Sequence, residues 1–115
     1  MLKTDDPDFQ EGVRLFNEGK YFEAHEAWEA LWRRTGKPDP GREAIHGLIQ
    51  LAAACHHLGR GNLKGARSCL ENARKHLGSS FPELVRAIEQ AVERGSTDNL
   101  PKIVIMVPQR YNELP

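Results

Sequence analysis

The chain has 115 residues, a length that suits one domain with a real core and needs no disulfide staples. Lysine plus arginine and aspartate plus glutamate stand at 16 each, so no global charge draws the protein to nucleic acid or to an anionic membrane. No apolar segment follows the lysine of MLKTDDPDF, and no run approaches the roughly 18 residues that span a bilayer, so a soluble cytoplasmic protein without a membrane partner is expected.

Helix signals begin at Asp6-Pro7, a cap residue followed by proline at the first helical position, with Phe9, Val13 and Phe16 at helical spacing and Gly19 as the stop. A second helix is expected over about Tyr21 to Arg34, ended by the prolines and glycines of TGKPDPG. The third, about Arg42 to Leu58, carries Ile45, Leu48, Ile49, Leu51, Ala52 and Cys55 and should be the most buried. GRGN turns the chain into a fourth helix, about Leu63 to Leu77, with Ala66, Leu70, Ala73 and Leu77 inward. SFPE predicts a capping box between Ser80 and Glu83 ahead of a fifth helix, whose stripe is Phe81, Leu84, Val85, Ile88 and Val92 and whose stop is Gly95. Cys55 and Cys69 both sit in apolar helical contexts, where free thiols are expected.

The expected architecture is all-α: a compact bundle of about five helices over residues 1–95, followed by a C-terminal tail over 96–115. In that tail KIVIMV, residues 102–107, has strand propensity but no second strand to pair with. It is expected to lie over its own bundle, or to pair with a second subunit in a homodimer, because an uncovered run of this kind invites aggregation. GKYFEAHEAWEAL also aligns with GNLKGARSCLENA, matching Gly19 to Gly61, Ala24 to Ala66, Trp28 to Leu70 and Leu31 to Ala73. The bundle therefore divides into two antiparallel hairpins that look like tetratricopeptide units, at a spacing of 42 where about 34 is usual.

On the second helix Tyr21, Ala24, Trp28, Leu31 and Trp32 share the core face at about 100° per residue, and His25, Glu26 and Glu29 form a polar band along its edge. On the third helix His46, Gln50 and His57 fall within a narrow arc. Two polar stripes beside the core can converge on one cleft, with Trp32 at its border and Asn62 near the turn. Three readings follow. Such buried polar groups can simply hydrogen-bond across helices. His25 and Glu29, one turn apart, can bind a divalent metal with His57. Or Glu29 beside His25 can act in proton transfer. HEAWE lacks the second histidine of a zinc metalloprotease motif, EAIH at 43–46 is a single Glu-x-x-His, and no nucleophile motif or phosphate loop accompanies them, so enzymatic function is not the leading expectation.

Arg33, Arg34, Lys37 and Arg42 border the first loop, and Arg60, Lys64 and Arg67 border the second. The two groups would meet at one end of the bundle if the hairpins ran in parallel, but without a recognisable RNA module nucleic acid is not expected as a partner.

FNEGKYFEAHEAWEALWR and GLIQLAAACHHLGRGNLKGA together strongly resemble the family named domain of unknown function 309. The pattern falls on Gly19, Tyr21, Phe22, His25, Glu26, Glu29 and Trp32, then on Gly47, Leu48, Ile49, Gln50, Gly61, Asn62 and Ala66, within residues 8–78. His46 departs from it, glutamine being expected there, so a metal site relying on His46 would not be a family trait. The resemblance implies a small all-helical domain with no established activity. It places the family's motif on the same polar stripe, which supports a pocket formed by His25, Glu26, Glu29, Trp32, Gln50, His57 and Asn62. The expected function is a binding or interaction module for a small ligand, ion or protein partner. The alternative is a metal-assisted hydrolase with His25, Glu29 and His57 as ligands and Glu26 as general base.

Overall fold

The computed structural model describes residues 2–103. Five helices run through them: α1 Pro7–Asn17, α2 Tyr21–Arg34, α3 Gly41–Gly59, α4 Leu63–Leu77 and α5 Pro82–Arg94, with no strand among the described residues. The protein is an all-α bundle, as its apolar periodicity requires. Residues 104–107 of the strand-like run lie outside the described residues.

Helix α1 starts where Asp6 places its carboxylate on the Asp8 and Phe9 amides, at 2.8 and 3.4 Å, with Pro7 pre-setting the first helical φ. Arg34 at the far end of α2 grips the same carboxylate at 3.0 Å, and this guanidinium holds the Asp6 carboxyl below its ordinary range. Helices α1 and α2 therefore close on each other at both ends. Between them Trp28 is fully buried and donates its indole N–H to the Phe9 carbonyl at 3.1 Å. Gly12 lies directly under that ring, where a Cβ would come within 2.1 Å of the indole nitrogen. Only a bare Cα lets the two helices approach this closely.

Helix α3 is the central element, with ten buried residues that include all six expected inward positions. The four inward positions of α4 are buried as well. The two hairpins have one turn geometry. Gly19 and Gly61 both take left-handed φ values, +80° and +77°, and each donates its amide three residues back, to Phe16 and to Leu58. The following residues, Lys20 and Asn62, each donate five residues back, to Leu15 and His57, at 2.9 Å in both cases. The internal repeat is therefore a repeat of turn hydrogen bonds as well as of side-chain size.

The capping box expected at Ser80 and Glu83 is not formed. Pro82 occupies the first helical position, so Phe81 becomes the cap residue, in a left-handed conformation with φ 55° and no side-chain cap bond. Ser80 stands one residue too early and donates its amide to the Leu77 carbonyl at 2.8 Å. The Phe81 ring packs against the core, which offsets part of the backbone cost. After α5 the chain returns to α1, where the Asn17 side-chain amide donates to the Ile103 carbonyl at 3.0 Å and accepts from the Ile103 amide at 2.7 Å. Cys55 is buried and Cys69 half-buried, both free. Among the described residues no helix is long and apolar enough to cross a membrane.

Candidate functional site

Because α2 returns the chain between α1 and α3, the Gly19 and Gly61 turns lie at the same end of the bundle. A cleft of about 740 Å³ opens between them. One wall is Gly19, Lys20, Tyr21, Phe22 and Glu23; the other is Cys55, His56, Gly59 and Arg60 from the end of α3, with Thr97 at the rim. Helix α2 begins at Lys20 without a side-chain cap bond, so its first-turn amides, which have no acceptor inside the helix, border the cleft. Phe22 is 48% exposed beside the cleft. Its ring stacks on His25 with centroids 5.7 Å apart and lies 5.4 Å from the His56 ring. Lys20 pairs with Glu18 at 3.4 Å, and Arg60 is exposed. Burial pushes the Cys55 thiol up to about 12, so it stays protonated and offers no nucleophile.

The residues expected to form one pocket are distributed over three places, and none of them lines this cleft. His25 and Glu29 form a half-buried pair on α2, with Nε2 and Oε2 3.7 Å apart, while Glu29 also takes Arg33 at 2.5 Å. His25 Nδ1 is buried without a hydrogen-bond partner. Glu26 is exposed and Gln50 half-buried. His57 and Asn62 belong to the α3–α4 turn. Asn62 Oδ1 accepts from the Gly65 amide at 2.9 Å as the cap of α4, and its Nδ2 lies 3.2 Å from His57 Nδ1.

Trp32 lies further down α2 and belongs to a third group. The Arg42 guanidinium sits 4.0 Å above the indole and donates to the Trp32 and Thr35 carbonyls at 3.1 and 2.5 Å, closing the C-terminus of α2. On the other side His46 lies 5.2 Å from the Trp32 ring and stacks on His76 of α4 with centroids 3.9 Å apart. His76 Nδ1 is 3.1 Å from Glu43 Oε1. Burial, reinforced by the neighbouring His76, holds His46 below the usual imidazole range. Among the described residues, Glu43, His46 and His76 form the one group of three ligand-bearing side chains with donor atoms within 4.8 Å of one another; His25, Glu29 and His57 form no such group.

Two features escaped sequence reasoning. His76 has no motif of its own, but reflecting the α3–α4 hairpin about Gly61 puts position 76 opposite position 46. Phe22 and His56 flank the two aligned turns, and equivalence of those turns is the signal that joins them. The basic groups do not meet: Arg33, Arg34, Lys37 and Arg42 lie at the opposite end of α3 from Arg60, Lys64 and Arg67, roughly 27 Å away along the helix. The loop before α3 and the turn after it necessarily sit at its two ends.

The model of the family described as "Domain of unknown function (DUF309)" matches residues 9–69, from the first turn of α1 to the middle of α4. That span exceeds half of the chain and includes both glycine turns. No curated protein matches the chain.

Proposed function

The chain belongs to the DUF309 family, and from that premise we propose that it is a binding module whose ligand enters the cleft between the Gly19 and Gly61 turns. The carrying observation is Phe22, held half in solvent at the cleft wall by its stack on His25 and by His56. An apolar ring maintained in that position presents a flat face to a flat partner. Around it, Arg60 and the uncapped start of α2 favour negative charge, joined by Lys20, which shares its charge with Glu18, and opposed by the Glu23 carboxylate. The ligand this supports is a small anion with a planar apolar portion, of a size suited to a cleft within the usual range for small-molecule sites. His25 and Glu29 then serve from behind, setting the ring on which Phe22 rests.

Phenyl phosphate and benzoate are suitable first probes, with inorganic phosphate and benzyl alcohol as the half-ligands. In heteronuclear NMR titrations the amides of 19–23 and 56–61 should move with the aryl anions and much less with either half-ligand. Phe22→Ala and Arg60→Gln should each weaken the interaction by about tenfold, the loss of one good contact. Shifts that cluster elsewhere, or binding indifferent to Phe22→Ala, would sink the proposal.

A further inference from the structure

We propose that Glu43, His46 and His76 bind one divalent transition-metal ion, at a site separate from the cleft. Ten residues of α3 separate His46 from His56, a distance of roughly 15 Å along the axis. The donor set is two imidazole nitrogens and one carboxylate oxygen. That combination suits zinc, cobalt, nickel or copper and not the all-oxygen preference of magnesium or calcium.

The spacing is close to what such an ion needs. Metal–nitrogen bonds of about 2.0–2.1 Å in tetrahedral geometry put donor atoms roughly 3.3 Å apart. His76 Nδ1 and Glu43 Oε1 already stand at 3.1 Å, and all three donors lie within 4.8 Å, so turning the His46 ring out of its stack on His76 brings in the third donor. The framework is stiff where this matters. Gly47, next to His46, faces Leu77, next to His76, and a Cβ there would lie 2.3 Å from the leucine Cγ. The α3 and α4 backbones are thus in contact beside the two histidines, which makes their juxtaposition a property of the helix pair.

Trp32 shields the inner side of His46, while the Glu43 side chain is 64% exposed. Three protein donors with one open flank leave a coordination position for water, the arrangement of catalytic rather than structural zinc sites. A carboxylate–imidazole ion pair would use only Glu43 and His76, with His46 stacked on His76 beside Trp32. The charge of Arg42 opposes a cation here, but its guanidinium is tied to the Trp32 and Thr35 carbonyls.

The test is a cobalt titration of tag-free full-length protein stripped with EDTA, followed by visible absorption, with zinc and magnesium as competitors. One Co²⁺ per chain should appear in a low-coordinate ligand-field band, displaced by Zn²⁺ and not by Mg²⁺. H46Q and H76Q should each weaken binding by at least about tenfold, the scale on which site residues count. His25→Gln and Phe22→Ala should leave it unchanged. Circular dichroism verifies the fold of each variant; if H46Q unfolds, His76→Gln decides alone. No cobalt band up to millimolar metal overturns the inference, and so does binding that survives His76→Gln or disappears with His25→Gln.

Discussion

Trp28 shows how far a single residue reaches. Its ring fills the space between α1 and α2, its indole N–H satisfies the Phe9 carbonyl, and its face rests on the bare Cα of Gly12. Gly12→Ala is therefore expected to destabilise the protein by about 1–3 kcal/mol through overpacking, although alanine is the better helix former. Urea unfolding measures this, and a variant as stable as the parent would mean that α1 and α2 do not meet at this distance. At the same scale, burial of Trp28 was legible from helical phase, and so was the half-buried band of His25 and Glu29. The adjacency of Glu29 and His25 was legible too, but the other partners were not: Glu29 also takes Arg33, and His57 turns to Asn62, because a polar side chain at the edge of a core takes the nearest compatible group and not the one that completes a pattern.

At the scale of elements, the extents of α2 and α4 coincide with those expected from their stops and periodicity, and α3 is one residue longer at each end. Glycine turns made this possible, since each needs a conformation that other residues adopt at a cost. At Gly61 a Cβ would meet nothing within 4 Å, so the cost of substitution there is one of backbone conformation alone. Gly61→Ala should cost about 1–2 kcal/mol in thermal or urea unfolding, and Gly61→Asn distinctly less, because asparagine tolerates the left-handed region. Equal losses for the two would point to side-chain crowding instead. Gly95 ends α5 with the same pair of bonds, its own amide to Val92 and that of Ser96 to Ala91, and it follows Gly61 by 34 residues. The start of α5 went the other way: a capping box needs its serine immediately before the helix, and Pro82 moves that boundary past Ser80.

For the whole molecule, α3 acts as a spacer with a different surface at each end. Its C-terminal end meets the start of α2 in the cleft, and its N-terminal end carries the Trp32, Arg42 and His46 group. Residues 96–103 return along α5 to Asn17, whose amide fixes the Ile103 backbone on both sides. Subunit pairing through the run that continues from Ile103 stands as a proposal, and sedimentation of the full chain against a chain ending at Ile103 tests it. Pairing predicts that only the full chain sediments as a dimer; equal masses for the two would exclude it. Length, apolar period, glycine stops and the paired turn motifs determined by themselves that the chain forms five helices, which face of each is buried, and that the hairpins repeat. These follow from local backbone preference and from the phase of apolar side chains, both carried within a few turns. Tertiary structure alone decided that Phe22 meets His25 and His56 and that His76 meets His46 and Glu43. Such meetings depend on the close approach and rotation of whole helices, set at Gly12 and Gly47 by the absence of a side chain, and no single segment carries that information.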